Sequence, residues 1–268
     1  MIKLPKATVV FALGVFCFVG LGQAQEAPRF SRDLCVKVKD GKGAEYAAFL
    51  RDVTTKLVKV RMDAGMYSSF VIAQAVAPAG RSARCDYHLV YGSIGFPPEG
   101  RGAEQTAADM KKAGIAMSRE QMNAKRDDLS FLVGVDIWRG QQSVGAAAKG
   151  GYARLNYYKT KPGATLGDWV RMESTGWKPL AESMAKDNGT AWLVFTLAMP
   201  GGASLPYNGL TVDVFPSWSA LGQGFPARTM WNKVHTDMDF AAYTNQMENI
   251  VERPRIDTVR LVEVMAGK

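Results

Sequence analysis

A stretch running from Leu34 to Tyr91 returns in the same design between Tyr152 and Phe215, and this repeat restricts the chain to architectures made of two like units. In the first copy, Leu34-Cys35-Val36-Lys37-Val38-Lys39 alternates with the two-residue period of a half-buried strand. Asp40-Gly41-Lys42-Gly43 turns the chain. Tyr46, Phe49, Leu50, Val53, Leu57, Val60 and Ala64 then fall on one helical face, and Gly65 is the expected cap. Strands are predicted over Tyr67 to Val76 and Asp86 to Tyr91. The second copy repeats the punctuation: strand Tyr152 to Tyr158, turn Lys161-Pro162-Gly163, and a helix begun by Thr165 and Asp168 in a capping-box arrangement. Leu166, Trp169, Trp177, Leu180, Ala181 and Met184 form its apolar face, and Asn188-Gly189 ends it. Pro200-Gly201-Gly202 stands where Pro78-Ala79-Gly80 stood, and Tyr207-Asn208-Gly209 leads into a third strand, Leu210 to Phe215. The second helix is expected to be about one turn longer and to kink at Pro179.

Each copy continues into helix and strand. Helical sequence from Ala103 to about Lys125, divided at Gly114 and capped by Ser118, precedes a fourth strand at Phe131 to Trp138. In the second copy a loop at Ser217 to Pro226 leads to a helix over Ala227 to Val251, a stop at Pro254, and a last strand from Asp257 to Met265. Gln141 to Gly151, rich in Gly and Ala, reads as a linker. The expected class is α+β, with β-α-β-β-α-β units over residues 31–140 and 152–266.

Ahead of the repeat, Lys3 and Lys6 precede an apolar run from Ala7 to Leu21, and Gly22-Gln23-Ala24 supplies small residues for cleavage. Residues 1–24 read as a secretory signal, which predicts a periplasmic or extracellular protein without a stable membrane span. Removing them takes away two lysines, so the formal charge falls from +8 to +6. An exported chain with dispersed charge and no arginine-rich run is not expected to bind nucleic acid.

One sheet face of each unit is covered by its own helices, and the other must also leave water. Two such sheets in one chain can cover each other. In this order of elements the chain resembles the dimeric α+β barrel superfamily, which includes antibiotic-biosynthesis-monooxygenase-like and stress-responsive barrel proteins. The closest local likenesses are Gly43 to Gly65 and Trp177-Lys178-Pro179-Leu180-Ala181-Glu182. The resemblance implies tandem ferredoxin-like repeats closed into an intramolecular pseudo-dimeric barrel, as a monomer or in a higher oligomer, and carries over no catalytic residue.

Strand alternation suggests that Val36, Val38, Leu155 and Tyr157 face the helices. The opposite sets are Cys35, Lys37 and Lys39, and Arg154, Asn156 and Tyr158. Tyr87, Tyr91, Asp136, Thr211, Asp213 and Arg260 are further polar candidates on the later strands. The ligand candidates are therefore Lys37, Tyr87, Arg154, Asn156, Tyr158 and Asp213. An Arg154–Asp213 pair could orient a polar ligand group or shift a carboxylate's pKa, or belong to a satisfied structural network. Cys35 and Cys85 suit a disulfide in an oxidising compartment. Both lie near predicted strand starts, however, which sets antiparallel partners apart, so the sequence leaves the bridge open.

No metal-ligand spacing involves the two histidines, and no Cys-x-x-Cys, nucleophile elbow or phosphate-cradling loop is present. His88 reads as a packed strand histidine. Chlorite-dismutase-like and haem-degrading enzymes share the element order, and the resemblance implies haem as a cofactor with His235 as axial ligand. Five of the six tryptophans fall in the second copy, which makes that half the heavier core or the home of a pocket. Three readings stay open: a protein binding a small, partly aromatic or apolar molecule, a haem-dependent or cofactor-independent oxidoreductase of the monooxygenase-like kind, and an envelope interaction module without a small ligand.

Overall fold

The computed structural model describes residues 27–202 and 204–267, with the backbone alone at Arg81. The expected signal segment lies outside the described residues. The first half contains β1 (Arg29–Val38), a long helix over 43–63, β2 (Ser69–Ala77), β3 (Tyr87–Ile94), helices Ala103–Lys112 and Arg119–Leu129, and β4 (Ser130–Val144). The second contains β5 (Tyr152–Thr160), a helix over 166–188, β6 (Ala191–Met199), β7 (Gly209–Phe215), helices Trp218–Gln223, Ala227–Val234 and Phe240–Ile250, and β8 (Val251–Ala266).

Local sequence sets the boundaries. Thr165 and Asp168 exchange side-chain and backbone hydrogen bonds in a capping box, as do Ser118 and Gln121. Gly65 and Gly189 leave their helices at φ 74° and 61°, a region costly for residues with a Cβ. Each long helix contains one π-turn, at Leu50–Thr54 and Glu173–Trp177. Only the second precedes a proline, so the turn belongs to the fold and Pro179 sits where helical bonding is already interrupted. The second long helix exceeds the first by two residues, less than the full turn expected.

All strand pairs are antiparallel. Each half has the ferredoxin-like order, β4-β1-β3-β2 and β8-β5-β7-β6, and the halves join edge to edge in one closed eight-stranded barrel. The closure depends on long fourth strands. β4 pairs with β1 over Ser130–Arg139 and with β6 from Ile137 onward, while β8 pairs with β5 and then, from Thr258, with β2. A strand that serves two partners must outlast either one, which is why β4 runs to Val144, into the expected linker. Pro254 lies inside β8 rather than stopping a helix. It falls at a register irregularity, before β2 begins to pair, where its missing N–H leaves no ladder bond unmade. The single helix expected over Ala227–Val251 is two helices, and a further short one capped by Ser217 occupies the expected loop.

Three apolar clusters hold this together. One, around Tyr46, Leu50, Phe70 and Leu89, lies between the first half's sheet and helices. A second, around Trp169, Leu180, Trp192 and Trp231, does the same in the second half. The third fills the barrel with Trp138, Leu155, Tyr157, Leu210 and Val259. Each fully buried large side chain contributes about 1.5–3 kcal/mol by leaving water.

Candidate functional site

The side chains of β5 face the reverse of the alternation reading. Leu155 and Tyr157 point into the barrel cluster, and Arg154, Asn156 and Tyr158 point under the helices of the second half. Both faces of a barrel strand are covered, so apolar residues do not by themselves identify the helix side. There a cavity of about 200 Å³ is lined by Arg154, Asn156, Tyr158, Thr211 and Asp213 from the sheet, and by Glu173 and Trp177 from the π-turn. Trp192 and Phe225 add aromatic wall, and Arg253 of β8 also lines it.

The polar groups form two sets of contacts, one on the sheet and one on the helix. Asn156 Nδ2 donates to Asp213 Oδ2 at 2.9 Å and to Thr211 Oγ1 at 3.1 Å, while its buried Oδ1 has no hydrogen-bond partner. Across the cavity Glu173, 2% exposed, accepts from Trp169 Nε1 at 3.0 Å. Burial pushes the Glu173 carboxyl up to about 8, helped by the nearby charge of Asp213 and opposed by the Trp169 hydrogen bond. Burial also raises Asp213, to about 6, against the pull of Asn156, Arg154 and Arg253. Both carboxyls are raised, Glu173 the more, so Glu173 is the one that keeps its proton to higher pH, beside an unused amide oxygen. Asp213 and Arg154 are direct cross-strand neighbours, as the expected pair required. The guanidinium lies over the Phe215 ring at 5.7 Å.

Glu173, Trp177, Phe225 and Arg253 do not appear among the sequence candidates for a site. Glu173 left a signal: it interrupts the apolar stripe four residues after Trp169 and four before Trp177.

The first-half candidates go elsewhere. Lys37 ties β1 to the β2–β3 connection, donating to Gly80 O at 2.6 Å and pairing with Asp86 at 3.0 Å. Tyr87 packs edge-on against Tyr46 in the closed first-half core, where Tyr91 also packs. Arg260 is exposed. Cys35 and Cys85 are joined by a disulfide with Cα atoms 5.2 Å apart. β1 begins at Arg29, earlier than the sequence suggested, so Cys35 lies well along the strand, opposite His88 and beside the entrance to β3.

His88 is a barrel residue. Its Nδ1 bonds Asp33 at 2.9 Å. Burial works against its charge, but the adjacent Asp33 carboxylate prevails and raises its pKa. Tyr207 donates to Asp136 at 2.8 Å and meets Arg84, while Arg255 pairs with Asp257 at 2.7 Å. These polar groups sit among Trp138, Tyr157 and Tyr207 in a packed interior.

His235 ends the Ala227–Val234 helix, where its Nε2 meets Gly176 O at 2.9 Å and its ring packs at a tilt against Trp231, centroids 4.2 Å apart. It satisfies a carbonyl of the π-turn and does not line the cavity. A haem does not fit these residues: the imidazole is engaged elsewhere, two carboxyl groups occupy the cavity, and 200 Å³ is below the usual 300–1,000 Å³ of even drug-sized ligand sites. Among the described residues, no group of three or more His, Cys, Asp or Glu could hold a metal ion. None of the described helices is long and apolar enough to cross a membrane.

The fold is that of the dimeric α+β barrel proteins, with both halves in one chain. A candidate monooxygenase from Fusobacterium nucleatum matches over 90% of this chain and 95% of its own, with TM-score 0.55 and 11% identity. Another from Lactobacillus acidophilus matches over 90% and 97%, with TM-score 0.53 and 13% identity. A haem-binding protein from Thermus thermophilus is more distant, with TM-score 0.47 and 10% identity over 89% and 92%. No protein-family model matches the sequence, and no curated protein matches it.

Proposed function

We propose that the protein is exported and binds one small, partly aromatic molecule in the second-half cavity, through a hydroxyl or amine on that molecule. The observation that carries this reading is the buried Asn156 Oδ1, an acceptor without a donor in a cavity walled by Trp177, Trp192 and Phe225. A ligand N–H or O–H would complete it, the protonated Glu173 would donate to a ligand oxygen, and the rings would cover the apolar part. Export is supported by the Lys3-to-Ala24 pattern and by the Cys35–Cys85 bridge, a bond that persists in oxidising compartments.

An enzymatic reading rests on the same residues. Burial raises both Glu173 and Asp213, Glu173 the more, which suits a pair that exchanges a proton with a phenolic ligand. The fold is shared with candidate monooxygenases, which makes oxidation by dioxygen without a cofactor the reaction to assay.

Native mass spectrometry of the purified protein, followed by ligand-observed NMR with a panel of phenols and aromatic amines, tests the binding reading. A one-to-one complex that Asn156→Leu abolishes is expected. No retained mass and no panel binding, or binding indifferent to Asn156→Leu, would sink it. Oxygen consumption with the bound phenols then separates binder from enzyme.

A further inference from the structure

Two guanidiniums line the second-half cavity, those of Arg154 and Arg253, and among the described residues neither makes an ion pair or a side-chain hydrogen bond. Arg154 stands opposite Asp213 in the β5–β7 ladder, yet the Asp213 carboxylate accepts from Asn156, and the Arg154 guanidinium lies over the Phe215 ring instead. The first half uses the same position differently. Arg32 precedes the β1 partner of Asp136 as Arg154 precedes the β5 partner of Asp257, and it donates to Pro98 O at 3.0 Å. A guanidinium has five N–H donors, no acceptor and a permanent charge, so one that rests on a ring face beside a cavity still has its fork of donors to offer. Arg253 is exposed and its field is screened by water, whereas Arg154 is half-buried.

We propose that the molecule bound in this cavity is a small aromatic acid, its carboxylate held by Arg154 and its hydroxyl or amine by Asn156 Oδ1. The inference rests on the binding proposed above and adds the ligand's second polar group. Arg154 and Asn156 are two residues apart on one face of β5, about 7 Å along the strand, a span that one aromatic ring with a substituent at each end bridges. A carboxylate accepts two parallel hydrogen bonds from the guanidinium fork, which a phenol or a neutral amide does not. The cavity's own carboxyls oppose an anion only so far as they are ionised, and burial raises both toward their neutral forms while Arg154 stays charged.

Titration calorimetry at neutral pH with para-hydroxybenzoate and its neutral isostere para-hydroxybenzamide tests this. The acid is expected to bind at least about tenfold tighter than the amide, with Asn156→Leu abolishing both complexes. Arg154→Gln is expected to remove the preference for the acid, and Arg154→Lys, which keeps the charge without the fork, to retain part of it. Circular dichroism confirms that each variant is folded, and if Arg154→Gln is not, the acid and amide on the parent protein decide. Phenols bound without the acid, or acid and amide bound equally, would overturn the inference and leave the binding reading standing. A preference that survives Arg154→Gln, or that Arg253→Gln removes instead, would overturn the role of Arg154. No binding by either probe or by any phenol or aromatic amine would overturn both.

Discussion

The two halves share a topology and both place an aspartate in the barrel, but they differ in what they set between the sheet and its helices. Asp136 and Asp257 each lie six residues into their strands, and their cross-strand partners are Asp33 in the first half and Leu155 in the second. Inside the barrel the first half thus has Asp33 and His88 where the second has Leu155 and Leu210. Under the helices the pattern reverses. The first half seals Val36, Tyr87 and Leu89 against Leu50, whereas the second sets Asn156, Thr211 and Asp213 under Glu173. Leu50 and Glu173 open the two π-turns, so one position is a core leucine in one half and a buried acid in the other. A repeat that needs only one site can keep the other copy as scaffold, and this difference between equivalent positions is the ground for proposing the site in the second copy.

The largest effect is expected from erasing that difference inside the barrel. Asp33→Leu leaves His88 buried without its carboxylate and should cost about 3–5 kcal/mol in urea unfolding. Adding His88→Leu copies the apolar arrangement of the second half and should recover most of the loss. A double variant as unstable as the single one would mean that the pair does more than satisfy itself.

Next comes the bridge that only the first half has. Cys35 and Cys85 are 50 residues apart, and cutting the loop they close should cost about 2–4 kcal/mol. Hydrogen exchange on the reduced protein should lose protection in β1 and β3 before β5 and β7. Equal loss in both halves would show that the barrel unfolds as one unit and that the halves differ in chemistry alone.

Glu173 gives the third comparison, read through pH. Its folded pKa of about 8 lies above its unfolded value near 4.5, so between these limits the folded state holds a proton that the unfolded chain has released. Stability from this group is therefore full below pH 4.5 and declines as pH rises toward 8, by up to about 1.4 kcal/mol per pH unit. Asp213 adds a decline of the same sign between its unfolded value near 3.8 and about 6. Glu173→Leu, which restores the first-half residue, should flatten thermal stability over pH 6 to 8 and abolish ligand binding. A slope unchanged by the substitution would place its origin elsewhere.

The sequence carried the repeat, the element order and most helix caps, because turns and caps are local chemistry: Gly65, Thr165 and Asn188-Gly189 act through their own backbone. It carried less of what depends on closure. The length of β4 and β8, and the strand position of Pro254, follow from pairing with the other half, which no local pattern encodes. The facing of β5 was illegible for a related reason: with apolar layers on both sides of the sheet, Leu155 and Arg154 suit either face until the helices are placed. Asn156, Tyr158 and Asp213 were legible as polar residues in strands, and their meeting with Glu173 was not, since it joins a strand and a π-turn.

The smallest expected effect concerns His235 and sharpens the contrast between the two π-turns. In the first half Val53 stands at the fourth position of the turn; in the second Gly176 does, and a Cβ there would come within 2.3 Å of the Tyr243 ring. Tyr243 and His235 both use that closeness, bonding Met172 O just before the turn and Gly176 O within it. His235→Ala removes one such bond and should cost about 1 kcal/mol in urea unfolding, with ligand affinity barely changed. Incubated with haemin and desalted, neither the parent nor the variant should retain a stoichiometric Soret band, because the imidazole serves the turn. A band in the parent that the variant loses would mean that the turn releases His235 to a larger ligand, and that the second half opens further than its packing of Trp177 and Trp231 shows.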